Sequence, residues 1–251
     1  HAITVPSKFL RARLAADFGC TVDRISVLPY GLQPTRFALK QAQTPPVTIG
    51  CFADEDVTYT VGMLRAALEL EPILGGARVV IVVSQQSKRA AEAIVAADAD
   101  RDRWQVIVGG AQTAEVLQHM DVVLYAVQQD THPLTIVKAQ LAGRPVIASA
   151  VGSVTELIDD RKNGLVVPVG NAAALASALS LIWDEAAYNR DLTTQARDTA
   201  LQRNALDAVG KAWETLYRGV LRGSRSTTSD AQQVYRRLSV HGDDNEAEEK
   251  S

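Results

Sequence analysis

One stretch, residues 121–168, constrains this chain more than any other. It opens with an unbroken apolar run, Val122-Val123-Leu124-Tyr125-Ala126-Val127, which reads as a buried strand. A polar loop from Gln128 to His132 follows, and Pro133 marks a first helical turn, where a missing N–H costs nothing. Leu134, Val137 and Leu141, spaced i, i+3 and i+7, turn one face of that helix toward a core. Gly143 stands where a helix C-terminus favours positive φ. Val146-Ile147-Ala148 is the next strand, and Gly152 bends the loop behind it. Ser153 and Glu156 have capping-box spacing for a short helix, and Asn163-Gly164 turns the chain into the strand Leu165-Val166-Val167. Strand, loop and helix repeated in this order predict an α/β fold, a Rossmann-like parallel sheet with helices on both faces.

In such sheets ligands lie beyond the carboxyl ends of the strands, where loops feed helix N-termini. The loop Gln128–His132 is at such an end, and the N–H groups of Leu134 and Thr135 would suit a phosphate or sugar hydroxyls. Asp130 reads either as a ligand-facing acid or as a helix N-cap. His132 reads as a sugar contact or as a solvated loop histidine.

The same alternation extends on both sides. Val47-Thr48-Ile49-Gly50 is a strand, Thr58–Leu70 a helix with Val61, Leu64 and Leu68 on one face, and Ala77–Val83 a buried strand after a break at Gly75-Gly76. Lys88–Ala97 is an alanine-rich helix, and Trp104–Val108 a strand closed by Gly109-Gly110. Asn171 begins a helix burying Leu175, Leu179 and Ile182, and Leu201–Leu221 is a further amphipathic helix with Val209, Trp213 and Leu216. Upstream, Ala2–Val5 is a short strand, Ser7 caps a helix carrying Phe9, Leu10 and Leu14, and Arg24–Pro29 is a second strand. Residues 41–46 form a polar, proline-containing linker. Residues 222–251 are polar and end acidic, too poor in apolar area to offset ordering entropy. They read as a disordered tail, with a brief helix open at Gln232–Leu238.

Composition narrows the function classes. A hydrophobic content of 47% supports a packed core, and a net charge of −3 gives no steering toward nucleic acid or a membrane surface. Cys20 and Cys51 fit neither a disulfide framework nor a metal cluster, so free thiols in a reducing cytoplasm are expected. No apolar run approaches the ~20 residues of a bilayer span. There is no G-x-G-x-x-G, P-loop or G-x-S-x-G. His119, His132 and Glu156 fall on different elements, and no metal site is expected.

Residues 121–168 resemble the donor-binding heart of the retaining GT-B glycosyltransferases of family 4, also called glycosyl transferases group 1. That pattern is an acid, seven residues, a Glu, then Ala-x-x-Ala-Gly-x-Pro-Val, a Gly-containing loop with a following Glu, and an Asn-Gly turn before a strand. The matching frame here is Asp130, Lys138, Ala139, Ala142-Gly143, Pro145-Val146, Gly152, Glu156, Asn163-Gly164 and Val167, so the second acid of the pair is replaced by Lys138. Val5, Ser7, Leu14, Ile25, Val27, Pro29, Gly31 and Phe37 resemble the segment that closes the family's N-terminal domain. The resemblance implies that residues 1–40 are a remnant of an acceptor-binding domain and that residues 47–221 are the C-terminal nucleotide-sugar-binding domain of a GT-B fold.

It also implies a site. Gly50 would stand at the diphosphate and Val108 and Gly109 at the base edge. Asp130 would be the catalytic carboxylate that helps hold the sugar and stabilises charge near its anomeric carbon, and Thr131, His132, Pro133, Leu134 and Thr135 would line the donor loop. Lys138 would replace the Glu that binds the ribose hydroxyls. In relatives an Arg and a Lys grip the diphosphate; an ungapped reading puts Cys51 and Asp56 there, with Lys138 as the one cation gained. Ala53–Asp56 either cap the helix that follows or repel a phosphate. The expected activity is transfer of a sugar, with retention, from a UDP- or GDP-linked donor to an acceptor hydroxyl, without metal or other cofactor. The missing N-terminal half, on the same polypeptide, would supply the acceptor site and any peripheral membrane contact, and the present chain alone would be inactive. The alternatives are a degenerate scaffold that no longer transfers sugar and another GT-B enzyme such as a nucleotide-sugar epimerase.

Overall fold

A computed structural model describes residues 3–39, 47–53, 56–110, 113–130, 132–222 and 227–238. They fall into two compact units, residues 35–197 and residues 1–34 with 198–251, and the division cuts through one long helix. The proposed linker at 41–46 lies outside the described residues.

The larger unit is built on a six-stranded sheet. Its strands are β3 (Thr48–Phe52), β4 (Arg78–Val83), β5 (Trp104–Val108), β6 (Val122–Tyr125), β7 (Val146–Ser149) and β8 (Leu165–Val167). They are all parallel and ordered β5-β4-β3-β6-β7-β8. The chain runs outward from β3 to one edge and then returns to lay β6 on the other side of β3. Two-residue alternation sends Ile49, Cys51, Val79, Ile81, Val122, Leu124 and Ile147 to one face. There they meet α2 (Val57–Leu70), α3 (Lys88–Ala96) and α7 (Ala172–Asp184) through Leu64, Ala91, Leu175 and Ile182. On the opposite face Val80, Val82, Val123, Val146 and Ala148 are also buried. The helices α4 (Thr113–Gln118) and α5 (Leu134–Leu141) bury Leu117, Ile136, Val137 and Leu141. The doubly covered parallel sheet of the sequence reading is therefore present.

Gly50 sits in the middle of β3, opposite Val80 and Val123. A Cβ there would lie 2.0 Å from the Met120 Sδ. The expected diphosphate role of Gly50 is corrected: the glycine admits Met120 against the sheet, and the strand continues past it to Phe52. Cys51 is likewise a core residue, fully buried, and burial pushes its thiol up to about 12. Nothing in the stretch from Val47 to Ala53 marks where the buried strand ends, so the ungapped placement slipped inside it.

In the other unit, β1 (Ile3–Val5) pairs in parallel with β2 (Ile25–Val27). The helix between them, α1 (Lys8–Phe18), is capped by Ser7, whose Oγ accepts from Leu10 N at 3.1 Å. The expected single helix over Leu201–Leu221 is two helices, α8 (Ala186–Asn204) and α9 (Leu206–Leu221), interrupted at Ala205. Around that interruption Leu32 N donates to Asn204 O, Leu206 N to Leu32 O, and Asn204 Nδ2 to Tyr30 O. The backbone bonds with Leu32 make the break worthwhile.

The expectation of a disordered tail is also corrected in part, because Thr227–Leu238 form a helix, α10. Its Ala231 is fully buried against Leu28, Ala212 and Leu216, and Tyr235 OH donates to Arg203 O at 2.7 Å. One small apolar residue and one tyrosine suffice to seat a polar helix, a contact that composition averages out. Residues 223–226 and 239–251 lie outside the description.

Gly50→Ala should destabilise the chain by about 1–3 kcal/mol through overpacking against Met120. The loss should shrink when Met120→Ala is already present, because the two sites share one space. Urea midpoints of the four variants measure this.

Candidate functional site

The point where the strand order reverses lies between β3 and β6, and ligand crevices of open α/β sheets form outside the carboxyl ends at such a point. Two loops and two helix N-termini converge there. On the β3 side, Asp56 accepts from Tyr59 N at 2.9 Å and so caps α2, where its charge suits the positive end of the helix dipole. Of the two readings of this acidic stretch, capping is the one its bonding supports; Asp54 and Glu55 lie outside the described residues. Thr60 Oγ1 donates to Ala126 O at 2.9 Å and ties that helix end to the exit of β6.

From β6 the chain enters the loop that carries most of the expected site. Tyr125 OH donates to Asp130 Oδ2, and His132 N donates to Asp130 Oδ1 at 2.9 Å. Asp130 is thus a loop-shaping carboxylate and not a helix cap. The residue before α5 is Pro133, which precedes the first helical turn instead of starting it. The His132 ring bonds through Nδ1 to Ser153 Oγ at 2.8 Å. Ser153 is fully buried and makes no capping bond, so the capping box with Glu156 is not formed. His132 and Glu156, expected on separate elements, come near enough to interact electrostatically. Burial lowers the His132 pKa, while Glu156 and Asp130 oppose that shift.

The helix α5 turns Ile136, Val137, Ala139, Gln140 and Leu141 inward and leaves Leu134, Thr135 and Lys138 half-buried along one stripe. Gln140 Nε2 donates to Leu157 O and Asn163 O, both at 3.3 Å, which fixes the helix to the following turn. Lys138 forms no ion pair among the described residues. Gly143 takes φ 66° and closes the helix as expected. Val108 and Gly109 end β5 on the same side of the sheet, with Gly109 N bonded to Val83 O at 2.8 Å. Thr131 lies outside the described residues.

The structure therefore brings Asp130 and His132 together at the end of β6, beside the stripe of Leu134, Thr135 and Lys138. It places Val108 and Gly109 at the end of β5, and it removes Gly50 to the core. Sequence reasoning missed Tyr125 and Ser153. A tyrosine at the end of a buried strand was the available signal for the first, since a buried hydroxyl needs a partner. A separate cavity of about 560 Å³ opens at the amino ends of β4 and β5, lined by Arg78, Asp102, Arg103, Glu115 and His119. It lies at the opposite end of the sheet from the crevice.

Among the described residues no three His, Cys, Asp or Glu side chains group as metal ligands, and no helix is long and apolar enough to cross a membrane.

The fold is that of a Rossmann-like domain of the GT-B type. The family profile described as glycosyl transferases group 1 matches residues 49–185, and the chain belongs to that family. It is similar to the amylovoran biosynthesis glycosyltransferase AmsK of Erwinia amylovora, 26% identical over 64% of this chain and 42% of that protein. It is also similar to the D-inositol 3-phosphate glycosyltransferase of Mycobacteroides abscessus, 27% identical over 86% of this chain and 53% of that protein. The chain thus spans about half the length of these relatives. Among solved structures, Anabaena HepE in complex with UDP superposes with a TM-score of 0.75 at 16% identity, over 86% of this chain and 64% of that one. The sucrose-phosphate synthase of Thermosynechococcus elongatus gives 0.76 at 22% identity, over 89% and 59%. At these identities the superpositions establish the fold.

Because burial holds His132 below its ordinary 6.5, the unfolded chain takes up the proton first. Stability should therefore be full above about pH 6.5 and fall as the pH drops through and below that value. In His132→Asn that part of the pH dependence should vanish, as read from urea midpoints between about pH 8 and pH 5.

Proposed function

We propose that this chain is the donor-binding half of a retaining glycosyltransferase that takes a sugar from a UDP- or GDP-linked donor and passes it to an acceptor hydroxyl. The observation that carries the reading is the hydrogen-bonded group of Asp130, His132 and Ser153 at the switch point of a group 1 glycosyltransferase sheet. The solved neighbour HepE, which holds UDP in one structure and UDP-glucose in another, supports a nucleotide-sugar as the ligand class.

In this reading the diphosphate lies against the N-terminus of α5, where the N–H groups of Leu134 and Thr135 and the helix dipole favour negative charge. Lys138, one turn further on the same stripe, adds a cation to that end of the site. The base rests on the backbone at Val108 and Gly109, and the sugar faces Asp130 and His132. Thr131 and Pro133 complete the loop. No metal or other cofactor takes part in the chemistry we propose, because helix and side-chain charges stand against the phosphates.

The acceptor site belongs to an N-terminal domain on the same polypeptide, of which residues 1–40 are the last segment. Both domains are needed to exclude water and align the acceptor, so the chain as given binds donor without turnover. The enzyme works in the cytoplasm, and any membrane contact comes from the N-terminal domain.

One observation favours a second reading, a scaffold of the same fold that has lost transfer. Lys138 has three donors and no acceptor, so it cannot accept from ribose hydroxyls as a Glu would. The other two departures carry less weight than their positions in the sequence implied: Cys51 is in the core and Asp56 caps a helix.

Calorimetric titration with UDP, GDP, ADP and their sugar conjugates separates the readings. Micromolar binding of one nucleotide class supports a donor site; no binding at millimolar ligand by a folded sample supports the scaffold. Lys138→Glu should weaken that binding about tenfold, the scale of one lost charge-assisted contact. Unchanged or tighter binding would remove Lys138 from the site.

A further inference from the structure

We propose that Tyr125 is a positioning residue that aims the Asp130 carboxylate at the hydroxyls of the donor sugar. The inference rests on the donor-binding reading above and adds to it a residue that contacts neither phosphate nor base. Tyr125 is the last residue of β6, half-buried and paired in register with Ala148 of β7. Its position is therefore set by the sheet and not by the loop that follows.

The Tyr125 hydroxyl reaches five residues forward to Asp130 Oδ2, while the backbone N–H of His132 donates to Oδ1 at 2.9 Å. Each carboxylate oxygen thus has its own donor, one referred to the sheet and one to the loop. A donor on each of the two oxygens holds the plane of the carboxylate about its otherwise broad terminal torsion. A carboxylate has about four lone-pair directions, so fixing the plane also fixes where the others point. His132 continues the chain of bonds to Ser153 at the foot of α6 (Val154–Leu157), which joins the ends of β6 and β7. The result is an acceptor of set direction built before ligand arrives, and preorganisation of this kind raises affinity by cutting the ordering cost.

The chemistry of the group names what it would read. A carboxylate repels phosphate and accepts from hydroxyls, so the contribution of Tyr125 should fall on the sugar half of the donor and leave the nucleotide half untouched. Tyr125→Phe keeps the ring and removes the donor to Oδ2.

The test titrates a nucleotide and its sugar conjugate (UDP with UDP-glucose, GDP with GDP-mannose) into the chain, its Tyr125→Phe and Asp130→Asn variants, and the double variant. Hydrogen exchange of the His132 amide is followed in parallel without ligand. Tyr125→Phe should weaken the nucleotide-sugar about tenfold and leave the bare nucleotide unchanged, because one hydrogen bond to a charged group is lost. The double variant should be no weaker than Asp130→Asn alone, since Tyr125 acts through Asp130. The His132 amide should exchange faster in Tyr125→Phe, as its acceptor loosens. Equal losses for nucleotide and nucleotide-sugar, additive losses in the double variant, or no change in Tyr125→Phe would each overturn the assignment. A wild-type chain that binds the nucleotide with no gain from its sugar overturns this role and leaves donor binding standing. Binding of neither overturns both, while the amide exchange still reports whether Tyr125 holds Asp130.

Discussion

The arrangement of this domain depends on one buried carboxylate. Asp121, 4% exposed, accepts from Val47 N at 2.9 Å and from Thr48 N at 3.0 Å, and its own N–H donates to Thr48 O. These bonds lock the amino ends of β3 and β6 together, and with them the register of the two central strands. The reversal of strand order that marks the candidate crevice occurs between those same two strands. Just before β7, the fully buried Arg144 has its guanidinium pKa lowered by burial, and the charge of Asp121 opposes that shift. A carboxylate at one end of the sheet thus sets the spacing of the loops at the other. Parallel strands transmit such a constraint because each pair has a single register compatible with both buried faces.

The block at 121–168 was legible because each of its transitions has its own chemical punctuation. Gly143 takes the positive φ its position suggested, and Asn163-Gly164 turns into β8 as read. Asn171 and Ser7 cap the helices they precede. What failed were places where tertiary contacts outweigh local signals. Ser153 had the spacing of a cap, yet its hydroxyl is drawn to His132, twenty-one residues earlier. The break at Ala205 answers to bonds with Leu32, and the seating of α10 to a pocket around Ala231. No local pattern near 205 or 231 encodes these.

The site itself was half legible. The placement of Asp130 and His132 in one loop, and of Lys138 on the helix after it, could be read from the sequence. The bond from Tyr125 to Asp130 could not, because a tyrosine ending an apolar run looks like any other core residue until its hydroxyl must find a partner. The slip at Gly50 and Cys51 has the opposite cause: a continuous run from Val47 to Ala53 carries no mark of depth, so residues two or three positions apart could not be assigned to core or crevice.

The depth of Cys51 has a practical meaning. Its thiol lies on β3, between β4 and β6, with no exposure and a pKa pushed up to about 12 by burial. Alkylating reagents act on thiolates, so this group stays silent until the central strands separate. Cys20, half-buried in the other unit, has no such shelter. The pair makes the native chain its own two-channel clock: one cysteine times the solvent-facing chemistry, and the other times the opening of the sheet on which the crevice is built.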